Sequence, residues 1–311
     1  MNDYKNLRII FMGTPDFAVA SLDKLVSANC NVIAVVTAPD KPAGRGMLLQ
    51  QSAVKKYAIE NNIPVLQPEK LKNVDFLNEL KQLNANLHIV VAFRMLPELV
   101  WNMPPLGTIN VHGSLLPQYR GAAPINWAII NGEKFTGITT FKLKHEIDTG
   151  NILMQEKIEI NETENAGDLH DKMKLIGANV LLKTVEAIAN KELQEIEQPQ
   201  HFNLQTLHHA PKIFTETCEI NFAKTVDEVY NLIRGLSPYP AAFTFINNKK
   251  VKIFTCKKEV CVTQKNVGEF VTDNKTYLKF CCANGYIEVI ELQIEGKKRI
   301  NITDFLKGFR G

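Results

Sequence analysis

The amino-acid sequence predicts an α/β protein in which a mostly parallel sheet, covered by helices on both faces, precedes a smaller β-barrel domain. Three observations support this fold class. Apolar runs typical of buried strands alternate with segments of helical periodicity over the first half of the chain. Short strand patterns separated by turn residues fill the last hundred residues. The length of 311 residues exceeds what one hydrophobic core usually contains.

The alternation of strands and helices defines the first domain. The predicted strands span residues 7–12, 31–37, 63–66, 87–92, 108–111 and 152–160, and the predicted helices span 17–25, 52–61, 74–83 and 166–189. In parallel sheets of this kind, ligands bind beyond the carboxyl ends of the strands. We therefore expect the binding site near residues 13–16, 92–94 and 110–112.

The last hundred residues differ in both pattern and charge. A predicted helix at 226–235 precedes predicted strands at 243–246, 251–256, 277–282 and 287–292. Residues 211–311 contain 16 Lys and Arg against 11 Asp and Glu, a net charge of +5, which leaves −2 of the total of +3 for the rest of the chain. Such a charge is typical of a domain that binds a polyanion, although a solvated basic face gives the same count. We predict a first domain at 1–190, a polar linker at 191–210 and a barrel domain at 211–311.

The composition is that of an ordinary globular protein and disfavours membrane and secreted classes. Hydrophobic residues make up 45% of the chain and charged residues 22%. No apolar run approaches the roughly 20 residues that span a bilayer, and the N-terminus lacks a signal-peptide pattern. We expect a cytoplasmic enzyme.

Missing motifs disfavour several classes of ligand. The first turn, Gly13-Thr14-Pro15-Asp16, lacks the Gly-x-Gly-x-x-Gly pattern of dinucleotide-binding proteins, and the chain has no Gly-Lys-Ser/Thr triplet of ATP-binding loops. The six cysteines include no Cys-x-x-Cys pair. His201, His208 and His209 of the linker have no carboxylate or thiolate at metal-binding spacing. We expect no metal and neither NAD nor ATP.

Three side chains form the candidate catalytic set. Asn110 and His112 are separated by one residue, so at the end of an extended strand both side chains leave the same face. Asp148, arriving from a later part of the chain, could fix the tautomer of the imidazole. An amide that donates to an oxyanion, a histidine that transfers a proton and a carboxylate that orients it suit transfer of an acyl group to an amine.

The residues around this set are a more specific signal of function than the spacing of the three side chains. Asn110-Val111-His112-Gly113-Ser114-Leu115-Leu116-Pro117, Gln118-Tyr119-Arg120-Gly121-Ala122-Ala123-Pro124 and Asp148-Thr149-Gly150 together resemble the formyltransferases that use 10-formyltetrahydrofolate. Within that family, the chain resembles over essentially its whole length the members that formylate methionyl initiator tRNA.

This resemblance implies a fold, ligands and further site residues. The first domain would be Rossmann-like, with Ser114, Leu115, Leu116 and Pro117 lining the folate site. The barrel would be of the oligonucleotide-binding (OB) type, and its basic surface would contact tRNA. The cosubstrate would be 10-formyltetrahydrofolate and the acceptor methionyl initiator tRNA. We expect the protein to be a monomer.

The segment Pro39-Asp40-Lys41-Pro42-Ala43-Gly44-Arg45-Gly46 is the second specific signal. Two prolines, two glycines and two cations in eight residues predict an exposed loop without helix or strand. A plain surface loop has the same composition. The spelling, however, resembles the loop that enters the acceptor arm of tRNA in the family, which implies that Arg45 contacts the acceptor end and Lys41 a phosphate.

Two alternative functions remain open from the sequence, a sugar-nucleotide formyltransferase and an RNA-binding protein. A sugar-nucleotide formyltransferase shares the folate domain, and Phe93-Arg94, where the family commonly has Tyr-Gly, favours it slightly. Arg94 would either reshape the wall of the folate pocket or point to solvent. An RNA-binding protein on an inactive scaffold would leave the catalytic set idle. Acyl-enzyme chemistry at Ser114 is disfavoured because no second histidine is placed to activate it.

Overall fold

The computed structural model describes residues 3–43, 48–199, 207–263 and 265–309. These residues form two compact units. The first comprises Met1–Arg120, Gly137–Ile158 and Asp171–His208, and the second Gly121–Thr136, Glu159–His170 and His209–Gly311. Two segments that precede residue 171 therefore cluster with the C-terminal residues. The predicted bounds of 1–190, 191–210 and 211–311 follow the chain order instead and stay a prediction.

Strands and helices alternate up to residue 189, as the sequence predicts. The strands are β1 (Ile9–Gly13), β2 (Val32–Val36), β3 (Lys41–Ala43), β4 (Leu48–Gln50), β5 (Val65–Leu66), β6 (Leu87–Val91), β7 (Thr108–His112), β8 (Arg120–Gly121), β9 (Phe135–Lys142) and β10 (Ile152–Glu159). The helices are α1 (Asp16–Ser27), α2 (Ala53–Glu60), α3 (Val74–Gln82), α4 (Glu98–Trp101), α5 (Pro124–Ile130) and α6 (Ala166–Ala189).

The first unit is built on a seven-stranded sheet of order β10-β9-β7-β6-β1-β2-β5. The pairs β1–β2, β1–β6, β2–β5 and β6–β7 are parallel, whereas β9 is antiparallel to β7. The predicted mostly parallel sheet is therefore confirmed. The sequence reading missed β9, because Thr136, Thr139 and Thr140 interrupt its apolar pattern although all three are buried.

Successive strands of the chain are added first on one side of β1 and then on the other. This reversal produces a crevice at the carboxyl ends of the neighbouring strands. The chain proceeds from β1 to β2 on one side and reaches β6 and then β7 on the other. Gly13 pairs with Val91, and Val91 with Val111, so β1, β6 and β7 end at one edge. Ligands of open α/β sheets bind at such a switch point. His112, the last residue of β7, therefore lies at the expected position.

The segment 39–46 differs from the prediction. Lys41–Ala43 forms β3 and pairs antiparallel with Leu48–Gln50, where the sequence reading expected no strand. Proline is tolerated here because both strands of a two-stranded ribbon are edge strands. Each strand has only one neighbouring strand, so no second strand needs the N–H group that proline lacks.

The second unit contains an antiparallel sheet. Its further elements are β11 (His209–Ala210), α7 (Val226–Leu236), β12 (Ala242–Ile246), β13 (Lys249–Val260), β14 (Phe270–Thr272), β15 (Leu278–Cys282), β16 (Gly285–Ile294), β17 (Ile300–Asn301) and α8 (Ile302–Leu306). The sheet order is β12-β13-β16-β15-β14, with β17 beside β16. The fold class is confirmed, the second sheet being an antiparallel half-barrel.

Helix α7 fills the concave side of this unit with one apolar face. A capping box starts it, because Thr225 accepts from the backbone of Glu228 while the Glu228 carboxylate accepts from the backbone of Thr225. Val226, Val229 and Ile233 are almost fully buried in the core with the inward side chains of the strands. Among the described residues, no helix combines the length and the apolar character that a membrane crossing requires.

Candidate active site

Asn110 and His112 project from the same face at the end of β7. Strand β7 lies between β6 and β9, where Asn110 pairs with Val90 and Phe141, and His112 with Thr139. Successive side chains of a strand alternate between faces, which gives the two residues a common side. His112 is buried, whereas Asn110 is half-buried.

Asp148 approaches His112 from the connection between β9 and β10. Its Oδ2 lies 3.8 Å from Nδ1 of His112, and both side chains are about nine-tenths buried, at 10% and 7% exposure. The backbone of Asp148 has φ of +56°, a left-handed conformation that costs energy for a residue other than glycine. The structure thus brings the imidazole and the carboxylate of the predicted set together.

The other nitrogen of the His112 ring is occupied. Nε2 lies 2.9 Å from the backbone oxygen of Tyr119. A carbonyl oxygen can only accept, so Nε2 carries the proton and donates it. Neutral His112 therefore has its free lone pair on Nδ1, on the side of Asp148. The edge of the ring is also packed against Phe141, at 6.3 Å between centroids.

The carbonyl of Tyr119 is itself held in place. Tyr119 has φ of +58°, and its backbone N–H donates to the oxygen of His208 at 2.7 Å. Its ring stacks on that of His208, with 5.6 Å between centroids. The backbone N–H of His208 donates in turn to the side chain of Gln118. These contacts fix the acceptor that orients His112.

The amide of Asn110 is available to a ligand. It has no hydrogen-bond partner among the described residues, and its side-chain atoms are accessible to solvent. An unpaired amide beside a histidine at the carboxyl edge of a parallel sheet can donate a hydrogen bond to a substrate oxygen.

The segment 114–117 packs mainly into the first unit. Ser114 is fully buried, and its hydroxyl donates to the oxygen of Gln118 at 2.6 Å. Leu116 is also buried and contacts Phe141, whereas Leu115 and Pro117 are half-buried. An engaged and buried hydroxyl is poorly placed as a nucleophile, in agreement with the prediction for Ser114. The folate-lining role of the four residues stays a prediction.

Of the two residues predicted to contact tRNA, Lys41 lies in the β3–β4 ribbon. Lys41 is exposed at the start of β3. Arg45 lies outside the described residues. Asp40, which precedes the ribbon, accepts from Nζ of Lys55 at 2.6 Å and from Nε2 of Gln67 at 2.8 Å. The base of the ribbon is thereby attached to the first unit.

Arg94 does not point to solvent. Its guanidinium donates to the backbone oxygens of Pro68 and Glu69, and the latter bond is 2.8 Å long. Burial lowers the pKa of Arg94. The turn that it contacts lines an open cavity of about 520 Å³, formed by residues between Leu66 and Glu79. Arg94 therefore fixes the turn after β5.

Sequence reasoning missed one polar residue that reaches the catalytic connection. The Gln198 side chain, in the segment predicted to be linker, donates to the backbone oxygens of Asp148 at 2.9 Å and Gly150 at 2.8 Å. Arg120 donates to the side-chain oxygen of Gln198 at 2.6 Å. No local pattern identifies such a residue, because its partner lies 50 positions away.

The chain is similar to known formyltransferases over most of its length. The formyl transferase family model matches residues 6–185, and the model of the formyl transferase C-terminal domain matches residues 212–310. A methionyl-tRNA formyltransferase of Bacteroides thetaiotaomicron is 52% identical over 311 residues, covering 98% of this chain and 97% of that protein. The protein of the same name from Flavobacterium johnsoniae is 48% identical over 308 residues, covering 98% and 96%.

Solved structures show the same fold at much lower identity. The N-formyltransferase of Helicobacter canadensis, in complex with folinic acid and dTDP-3-aminofucose, aligns with a TM-score of 0.67 and 22% identity. The alignment covers 94% of this chain and 100% of that one. At this identity the likeness extends to the arrangement of strands and helices in both proteins.

Proposed function

The chain belongs to the methionyl-tRNA formyltransferase family of formyl-transfer enzymes, and from this premise we propose that Asn110, His112 and Asp148 catalyse its reaction. The enzyme transfers the formyl group of a folate, 10-formyltetrahydrofolate, to the α-amino group of methionine esterified to initiator tRNA. The observation that carries the site assignment is the accessible, unpartnered amide of Asn110 on the same strand face as His112, whose Nδ1 faces Asp148.

His112 acts as the proton carrier of this reaction. The α-amine attacks the formyl carbon, a C–N bond forms, and the carbonyl oxygen becomes an oxyanion. His112 accepts the ammonium proton at Nδ1, because Nε2 already donates to Tyr119. It then returns the proton to N10 of the folate as the C–N10 bond breaks. The products are tetrahydrofolate and N-formylmethionyl-tRNA, and the enzyme regains its initial protonation.

Asn110 and Asp148 stabilise the charges that develop. The Asn110 amide donates to the oxyanion, an interaction that exists only after attack and therefore lowers the barrier. The Asp148 carboxylate stabilises the imidazolium that His112 becomes, and its burial strengthens that interaction. No covalent enzyme intermediate is required.

The cosubstrate and the nucleic acid are assigned to different surfaces. The crevice at the ends of β1, β6 and β7, bordered by the half-buried Leu115 and Pro117, suits the planar ring of a folate. Lys41 and the basic residues of 211–311 suit the phosphates of tRNA, as does Arg45. We assign the enzyme to the cytoplasm, where translation supplies its acceptor, and expect it to act as a monomer.

A direct assay tests this proposal. Purified protein is incubated with folate that carries a radiolabelled formyl group and with methionyl initiator tRNA, and the label in acid-precipitated tRNA is counted. A dTDP-amino sugar serves as the competing acceptor. Label in the tRNA supports the proposed acceptor. Label only in the sugar nucleotide would retain formyl transfer and reject the acceptor.

A further inference from the structure

Residues 195–198, predicted to be linker, lie along the edge strand of the catalytic sheet. The backbone of Ile196 makes two hydrogen bonds with Ile152 of β10, at 2.8 and 2.9 Å. The carboxylate of Glu195 forms an ion pair with Lys142 and accepts from Asn151 at 2.9 Å. The backbone pairing of Ile196 with Ile152 brings Gln198, two residues further along the chain, to the connection that carries Asp148.

Both N–H donors and the side-chain oxygen of Gln198 have hydrogen-bond partners in this position. It is 3% exposed, and its amide nitrogen donates to the backbone oxygens of both Asp148 and Gly150. Its side-chain oxygen accepts from Arg120. Because a guanidinium can only donate, the oxygen must face Arg120 and the two N–H groups must face the carbonyls. The orientation of the amide is therefore unique.

The connection around Asp148 requires such a partner. Asp148 has the left-handed conformation described above, and a side chain at Gly150 would meet the backbone oxygen of Lys142 at 1.6 Å. The backbone is thus held in a conformation with little local freedom. A buried carbonyl without a donor costs roughly 1–3 kcal/mol, so loss of the amide would favour a different path of the connection.

From these contacts, and resting on the proposed function, we propose that Gln198 is a positioning residue that keeps the Asp148 carboxylate facing Nδ1 of His112 during formyl transfer. It does not touch the reacting atoms. Arg120 acts one step further away by fixing the orientation of the Gln198 amide. Gln198, which follows α6 in the segment predicted to be linker, therefore supports the proposed catalytic site without being part of it.

Two substitutions distinguish the contribution of the hydrogen-bond donors of Gln198 from that of its size. Gln198→Glu retains the shape and the acceptor for Arg120 but places one carboxylate oxygen against the two carbonyls. Gln198→Met retains the length and burial and removes both donors. We expect each variant to lower kcat for methionyl-tRNA by roughly 10- to 100-fold, with KM for tRNA and for folate within about twofold of the parent. If the Glu variant does not fold, the Met variant decides.

The matched control is Glu195→Gln. It weakens the attachment of the same segment to Lys142 without touching the carbonyls of the catalytic connection. We expect its kcat to stay within about twofold of the parent. Equal losses in the Glu195 and Gln198 variants would mean that attachment of the segment matters and the amide does not, which would overturn the proposal.

A double-mutant cycle with Asp148→Asn tests whether Gln198 acts through Asp148. If it does, Gln198→Met should lower kcat in the parent but by less than about twofold in the Asp148→Asn background. The positioning role is rejected if Gln198→Met lowers kcat equally in both backgrounds, or if both Gln198 variants keep the parental kcat. In either case the proposed function stands as long as the parent formylates tRNA. A parent that leaves methionyl-tRNA unlabelled rejects the proposed function itself and the role with it.

Discussion

Nδ1 of His112 and Oδ2 of Asp148 lie 3.8 Å apart, within ion-pair range and beyond the length of a hydrogen bond. Since Nε2 keeps its proton for Tyr119, the two groups attract strongly only after Nδ1 has gained a second ring proton. In the proposed mechanism, the carboxylate therefore stabilises the imidazolium more than the resting imidazole. Stabilisation of this kind raises kcat rather than substrate affinity.

Replacement of the carboxylate should consequently affect turnover. We expect Asp148→Asn to lower kcat by roughly 100- to 10,000-fold with little change in KM for methionyl-tRNA. Single-turnover transfer of labelled formyl measures the chemical step. Glu146→Gln, an exposed residue of the same connection, is the matched control and should retain parental turnover. A similar loss in both variants would contradict a specific role of Asp148.

Removal of the Asn110 amide, the proposed hydrogen-bond donor to the oxyanion, should also lower turnover. Asn110→Ala should lower kcat by roughly 100- to 1000-fold, because the developing negative charge loses its hydrogen bond. Asn110→Asp, of nearly equal size, should lose at least as much because it offers a second negative charge. The measurement is kcat and KM at saturating folate. Parental turnover in Asn110→Ala would exclude the residue from the catalytic set.

His88 should make the first unit less stable in acid. It is 1% exposed on β6, and its Nδ1 has no hydrogen-bond partner among the described residues. Burial lowers the pKa of His88 from 6.5 to about 4, opposed by a hydrogen bond to the backbone of Val100. Between these two values the unfolded chain binds more protons than the folded chain, so stability falls as the pH decreases from 6.5 to 4.

The expected loss across this window is roughly 3 kcal/mol. Urea unfolding at pH 6.5 and 4, followed by the fluorescence of Trp101 in a Trp127→Phe background, measures it for the first unit. His88→Leu removes the titration and should flatten this part of the pH dependence. An unchanged slope in that variant would assign the acid sensitivity to other groups.

The cysteines should differ sharply in their reactivity towards alkylation. Burial raises the pKa of Cys30 to about 11 and that of Cys256 and Cys282 to about 12. Because the thiolate is the reactive form, these three should resist iodoacetamide at pH 8 until the protein is unfolded. Cys261, which is half-buried, should be labelled first. Peptide mass spectrometry over time gives the order, and early labelling of Cys256 would contradict it.

The elements that could be predicted from the sequence are those whose buried residues are hydrophobic. Strands β1 and β6 are buried on both faces and read as apolar runs, and α6 was predicted with its observed bounds because its apolar spacing is regular. Strand β9 was missed because its buried side chains are largely threonines. The β3–β4 ribbon was missed because Pro42 obscured its pairing.

The predictable parts of the candidate site are those formed by residues close together in the chain or by a recognisable motif. Asn110 and His112 share a face because of their spacing, and the motif around Asp148 identified the carboxylate. The Tyr119 carbonyl could not be predicted as the partner of His112, because the contact depends on a left-handed backbone at Tyr119. Gln198 could not be predicted because a polar segment suggests solvent exposure, whereas the side chain of Gln198 is buried and hydrogen-bonded.

The hydrogen bonds between Ile196 and Ile152 also matter for how the protein avoids association with itself. Strand β10 is an edge of the seven-stranded sheet, and an exposed edge offers unpaired backbone groups to the strand of another molecule. Segment 195–198 covers the start of this edge, and Glu156, Lys157 and Glu159 place charges along the remainder. A chain in which the segment detaches would lose the alignment of its catalytic carboxylate and, at the same time, gain a site for aggregation.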